Sequence, residues 1–220
     1  MIRLDPRLNA IVDPGRSGGH DIVALARSVA AGGATLVQLR DKQNETRIMV
    51  QEARAVKAAL VPFGIPFVVN DRVDVALAAQ ADGVHLGPDD MAAADARALL
   101  GSRAIIGLSI KTAAEAQTAP VELIDYAGVG GVYATLSKAQ KTAPIGPTGL
   151  AEVARVLHDR APGLPVIAIA GIDATNAGAV IAAGADGVAV ISALALVADP
   201  TAAARALREM VDGVLAKRGT

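Results

Sequence analysis

Short apolar runs rich in Val and Ile recur along the whole chain, each closed by small or polar residues. They read Ala10–Val12, Thr35–Leu39, Pro66–Val69, Gly83–Leu86, Ala104–Leu108, Ile124–Val129, Val166–Ala170 and Gly187–Ile191. Each is too short for a helix and lacks strict alternation, the pattern of a strand covered on both faces. Between them lie Ala-rich segments with helical spacing, clearest at Asp21–Ala31, Glu45–Leu60, Ala92–Leu100, Leu150–Arg160 and Ala202–Ala216. Asn44 and Asp173 are expected to cap the helices that follow them. Eight strands, each followed by a helical segment, predict a parallel α/β fold closed into a (β/α)8 barrel, with residues 1–220 as one domain. Spread over 220 residues, eight units average about 27 residues each, which suits a compact barrel. An open doubly wound sheet would place a glycine-rich fingerprint after the first strand, where this chain has Asp13-Pro14-Gly15. A weak internal repeat agrees with equivalent units. Ala78–Val84 resembles Ala182–Val188, and Ala31–Val37 is a looser copy.

Composition narrows the function. With 21 basic and 22 acidic residues the formal net charge is −1, so nothing points to nucleic acid or an anionic membrane surface as partner. Aromatic residues make up 2% of the chain, too few for base-stacking platforms. The absence of cysteine removes disulfides and thiolate metal sites. No apolar run reaches the length of a membrane span, and Met1–Asn9 carries charges where a signal peptide would be apolar, so a cytoplasmic location is expected.

In a barrel the chemistry sits where strands end. The second strand leaves through Gln38-Leu39-Arg40-Asp41-Lys42, and alternation puts Gln38, Arg40 and Lys42 on one side, toward the mouth. Two cations and an amide in register suit a diphosphate clamp, the plainer alternative being a salt-bridged rim. The third strand ends in Asn70-Asp71 and the fourth runs His85-Leu86-Gly87-Pro88-Asp89-Asp90. Asp71 with Asp89 or Asp90 suits Mg2+, which takes one or two carboxylates plus substrate phosphate oxygens; a helix-capping role is the alternative. His85 reads as a packed barrel residue more than a metal ligand. The fifth strand ends at Ser109, and the sixth runs into Gly130–Pro147, a segment with few apolar anchors that reads as a mobile lid. On it, Thr135, Ser137 and Lys138 suit phosphate. Gly171 and Ser192 leave the last two strands, where barrels commonly hold phosphate on backbone N–H groups. The residues thus suggest two anion sites, one basic and metal-assisted, one neutral, as an enzyme joining two phosphorylated substrates needs. No covalent-catalysis constellation is present.

Taken together, Gln38–Lys42, Val69-Asn70-Asp71, Gly83–Asp90, Gly107-Leu108-Ser109, Asp125–Gly130 and Gly184–Val188 resemble the thiamine phosphate synthase family in order and spacing over nearly the whole chain. The resemblance implies a TIM barrel and a Mg2+-dependent transfer. Hydroxymethylpyrimidine diphosphate loses pyrophosphate, and the nitrogen of thiazole phosphate attacks the resulting pyrimidine cation to give thiamine phosphate. It implies that Gln38, Arg40, Lys42, Asn70, Ser109 and Lys138 contact the pyrimidine diphosphate, with Lys138, Ser109 and Arg40 catalytic. Asp71 and Asp90 would hold Mg2+. Thr135, Ser137, Gly171, Ile191 and Ser192 would surround the thiazole phosphate. The partners expected are these small molecules, and a homo-oligomer is left open. The chain departs from the family in the loop after the sixth strand. The family commonly reads Gly-Pro-Val-Phe-Pro-Thr-x-Thr-Lys where Gly130–Lys138 lacks both prolines. It also carries Lys111 where the family often has His. A thiazole tautomerase on the same barrel, or a non-catalytic phosphate-ligand sensor, are the competing readings; a tautomerase has no need of the clamp or the carboxylates.

Overall fold

The structure, a computed structural model, describes residues 4–137 and 142–218. Eight parallel strands close into a barrel in chain order. They are β1 (Leu8–Val12), β2 (Leu36–Leu39), β3 (Phe67–Asn70), β4 (Gly83–Leu86), β5 (Ile105–Ile110), β6 (Tyr126–Val129), β7 (Val166–Ile169) and β8 (Gly187–Val190). Between and after them come α1 (Ile22–Ala31), α2 (Thr46–Leu60), α3 (Val73–Ala79), α4 (Ala93–Leu100), α5 (Ala113–Thr118), α6 (Gly146–Arg160), α7 (Ala177–Ala182), α8 (Ser192–Ala195) and α9 (Pro200–Arg218). All eight strands fall on the apolar runs. Among the described residues no helix is long and apolar enough to cross a membrane.

The strands are buried on both faces because two cores flank them. Outside the sheet, Val37, Leu39, Val69 and Leu86 pack against helical residues such as Leu25, Val56 and Leu157. Inside the barrel a smaller cluster holds Ile11, Leu36, Val68, Ile105, Tyr126, Ile167 and Ala189. Each large aliphatic side chain so buried contributes about 1.5–3 kcal/mol. On β2 the alternation is explicit: Leu36 faces inward, Val37 and Leu39 outward, and Gln38 and then Arg40 face inward again above Leu36.

The barrel floor carries a device repeated at every second strand. The residue just before an even strand accepts an N–H from the first or second residue of the odd strand beside it. Thr35 Oγ1 accepts from Leu8 N at 2.9 Å, Asp82 from Phe67 N at 2.8 Å, Asp125 from Ile106 N at 2.8 Å and Asp186 from Val166 N at 2.9 Å. The three carboxylates also face cations on the outer helices, Lys57 at 3.7 Å, Arg97 at 2.8 Å and Arg218 at 2.5 Å. The internal repeat has its explanation here. Ala31–Val37, Ala78–Val84 and Ala182–Val188 are three of these four junctions, and the fourth, before β6, keeps the Asp125 carboxylate without the surrounding Ala and Gly residues.

Three local expectations are corrected. Asn44 does not cap α2, because Asp41 Oδ1 accepts from both Gln43 N and Asn44 N and the helix starts after Glu45 without a side-chain cap. Asp173 closes a turn onto Thr175, so α7 begins only at Ala177. The segment after β6 is anchored at both ends rather than free from Gly130 to Pro147. Val132 N donates to Ile169 O at 3.0 Å, Ile145 N to Gly131 O at 3.0 Å, and α6 already includes Gly146 and Pro147.

Candidate active site

The C-terminal ends of the strands open into a cavity of about 340 Å³. Gln38, Arg40, Lys42, Asn70, Asp71, Asp90, Ser109, Thr135, Ser137, Gly171, Ile191 and Ser192 all line it. Lys138, with the rest of 138–141, lies outside the described residues.

On the β2–β4 side the polar residues organise one another. Gln38 is buried in the wall, receives the Asn9 amide at 3.3 Å and donates to Asn70 Oδ1 at 2.9 Å. Arg40 pairs with Asp13, a buried carboxylate that also accepts from Gly15 N. Lys42, half exposed, pairs with Asp71. Asp71 holds a left-handed backbone, φ 62°, a conformation that Asp and Asn tolerate better than other side chains. Asp90 Oδ2 accepts from Gly87 N at 2.7 Å and so faces back toward its own strand end. Burial, followed by its closeness to Asp71, raises the Asp90 pKa above the usual carboxylate value. Two carboxylates therefore meet at adjacent strand ends beside the Lys42 ammonium.

Deeper in the wall, His85 is buried, with Nδ1 2.9 Å from the Tyr126 hydroxyl and Nε2 2.9 Å from Ser109 Oγ. It is a packed barrel residue, as expected, and also a cavity wall.

The β6–β8 side is built from backbone. Gly171 has φ 65°, and a Cβ there would fall 2.4 Å from Ala134 O, so only glycine lets the loop after β6 lie against the end of β7. Asn176 Nδ2 donates to Gly171 O at 2.9 Å and fixes the turn. Ser192 opens α8 one residue beyond the end of β8 and lines the cavity, while Leu194 N and Ala195 N donate to Ile191 O. A second hollow shares Thr135, Ser137, Gly171 and Ser192 with the main cavity and adds Arg16.

Sequence reasoning missed Asn9, Asp13 and Tyr126. Asn9 lies inside an apolar strand, where a buried polar group needs a hydrogen-bonding partner, and that was the signal available for it. Tyr126 gave no such signal, since its ring reads as core.

With this geometry in place, comparison with known proteins is direct. The family model described as thiamine monophosphate synthase matches residues 8–194. The thiamine-phosphate synthase of Agrobacterium fabrum is 48% identical over 218 residues, 99% of each chain. That of Moorella thermoacetica is 45% identical over 204 residues, 93% of this chain and 95% of the relative. The solved thiamine phosphate pyrophosphorylase of Pyrococcus furiosus superposes with a TM-score of 0.85 at 36% identity, covering 98% of this chain and 100% of that one. A profile spanning most of the barrel, relatives matched nearly end to end and a full-length structural match agree, and the chain belongs to the thiamine monophosphate synthase family.

Proposed function

We propose that this barrel joins hydroxymethylpyrimidine diphosphate to thiazole phosphate, releasing pyrophosphate and forming thiamine phosphate. The observation that carries the reading is that one cavity gathers a basic, carboxylate-bearing wall on β2–β4 and a backbone-rich wall on β6–β8. On this reading Gln38, Arg40, Lys42, Asn70, Ser109 and Lys138 contact the pyrimidine diphosphate. Thr135, Ser137, Gly171, Ile191 and Ser192 surround the thiazole phosphate. The tautomerase alternative leaves the clamp and the carboxylate pair without a use.

The residues fit Mg2+. Among the described residues no group of three or more His, Cys, Asp or Glu side chains is arranged to hold a metal. Mg2+ asks for less, one or two carboxylates plus phosphate and water oxygens. Asp71 and Asp90 meet that requirement, and a divalent cation held by them would offset both the burial and the closeness of the two carboxylates that raise the Asp90 pKa. When bound, Mg2+ would supply positive charge to the diphosphate oxygens as the leaving group takes up negative charge.

The protein's own part is mainly electrostatic. As the bond from the pyrimidine methylene carbon to the diphosphate oxygen breaks, both electrons leave with pyrophosphate. Arg40, Lys42 and Lys138 stabilise that charge, and Ser109 adds a hydrogen bond. The thiazole nitrogen lone pair then forms the new carbon–nitrogen bond. The wall residues hold the two reacting atoms in line and keep water from the cation. No proton has to move in either step. Both substrates carry phosphate charge that does not cross a bilayer unaided, and we place the reaction in the cytoplasm.

The test is incubation of the purified chain with both substrates and Mg2+, followed by detection of thiamine phosphate and pyrophosphate. Absence of both products, with the protein folded and binding each substrate, overturns the reading.

A further inference from the structure

His85 stands between two hydroxyls on neighbouring strands, and that arrangement is built into the wall. The register sets His85 beside Gly107, Gly107 beside Tyr126, and Ser109 beside Gly128. Both glycines make room. A Cβ at Gly107 would fall 2.4 Å from the Tyr126 hydroxyl oxygen, and one at Gly128 would fall 2.8 Å from His85 Cε1. The two rings stack with centroids 5.4 Å apart and planes inclined by 26°.

Hydrogen-bond accounting then fixes the direction of the chain. Tyr126 is 0% exposed. Burial, and next the nearby Asp125 carboxylate, push its pKa far above the ordinary phenol value, so it keeps its proton. A buried O–H donates to an acceptor, and among the described residues the one hydrogen-bond partner of this hydroxyl is His85 Nδ1. Nδ1 therefore carries no proton, and the neutral ring carries it on Nε2. Nε2–H donates to Ser109 Oγ at 2.9 Å, which leaves the Ser109 proton directed at the cavity. In the other tautomer Ser109 would give its proton to Nε2 and offer the cavity lone pairs only.

We propose that Tyr126 and His85 are positioning residues that lock Ser109 as a hydrogen-bond donor toward the ligand, so that the ligand atom it meets is an acceptor, namely a diphosphate oxygen. The inference rests on the reading that Ser109 contacts the pyrimidine diphosphate. It adds a reason why a residue deep in the wall should govern recognition at the mouth.

The first experiment is imidazole nitrogen NMR on the full chain labelled with 15N-histidine. The chain has three histidines, and the His85→Gln protein assigns the relevant signals by their loss. The Nε2–H tautomer is expected for His85, with that preference lost in Tyr126→Phe. An Nδ1–H tautomer, or a doubly protonated ring at neutral pH, overturns the proposal. The second experiment is kinetic. Tyr126→Phe is expected to raise KM for the pyrimidine diphosphate by about tenfold, the scale of one hydrogen bond to a charged group. KM for thiazole phosphate should stay in place, and Tyr126→Phe should add little when Ser109→Ala is already present. An equal effect of Tyr126→Phe with and without Ser109 means that Tyr126 acts only on packing, and overturns the proposal. Failure of the wild-type chain to form thiamine phosphate would strike the proposed reaction instead, and the tautomer would still decide the hydrogen-bond chain.

Discussion

Arg40 is held in place before any ligand arrives. Its side chain is 16% exposed and pairs with Asp13, whose side chain is 4% exposed, so each neutralises a charge the other could not leave in the wall alone. Arg40→Ala should therefore have two effects. Binding of the pyrimidine diphosphate should weaken by about 2 kcal/mol, as for a lost charge-assisted contact, while thiazole phosphate binding stays nearly unchanged. The melting temperature should also fall, because Asp13 loses its partner. Adding Asp13→Asn should restore the melting temperature without restoring binding. Calorimetric titration of both ligands and thermal unfolding separate the effects, and equal losses for the two ligands would mean one undivided site. Asp71 permits a cleaner substitution. Asn tolerates its left-handed backbone, so Asp71→Asn should keep its stability while losing roughly 10²-fold in turnover. Full wild-type activity in excess chelator would rule out the metal. At this scale the sequence revealed the cavity-facing charges, because Arg40 follows an apolar strand at the alternation of Gln38 and Lys42. It concealed their partners. Asp13 is 27 residues away from Arg40, and Lys42 meets Asp71 across 29.

At the scale of elements, the strands were legible because burial on both faces makes each of them a short, mainly apolar run. Helix starts were not, because a cap is a competition among nearby acceptors. Asp41 accepts from the backbone N–H groups of Gln43 and Asn44 and turns the chain ahead of α2, and its charge reaches into that helix. Glu52, on the second turn of α2, has its pKa raised first by burial and then by the neighbouring Asp41 carboxylate. The folded state thus binds the Glu52 proton more tightly than the unfolded chain does. The stability contributed by this group is fully present below its ordinary value of 4.5 and is lost as pH rises through the higher folded value. Glu52→Gln should consequently melt higher than the wild type at neutral pH and lose that advantage in buffer below 4.5. The same advantage at both pH values would show that the repulsion is not the cause.

For the whole molecule, the two ends of the barrel have separate duties. Ligand-facing groups crowd the mouth, whereas Thr35, Asp82, Asp125 and Asp186 hold the floor. Asp82→Ala should leave the Phe67 N–H without its partner and cost about 1–3 kcal/mol of stability, read by denaturant unfolding, with kcat unchanged. A fall in kcat at temperatures where the variant is fully folded would contradict that separation. Barrel closure was legible from the count of eight runs. The two-strand period was only half legible, because the junction before β6 keeps one functional atom and none of the surrounding residues that make the other three look alike.

That two-strand period sets an order of events in time. The floor contacts bridge 27, 15, 19 and 20 residues, so each closes a short loop. The seam between β8 and β1, where Val188 N donates to Arg7 O, joins the two ends of the chain. Short loops close at lower entropic cost and sooner than long ones. During refolding, pulse-labelled exchange should find the amides of Phe67, Ile106 and Val166 shielded before that of Val188. Simultaneous protection at all four would mean that the ring condenses in one step. With the paired order, the cavity is the last part of the molecule to acquire its shape, since its two walls face each other across a closed mouth only once the seam has shut.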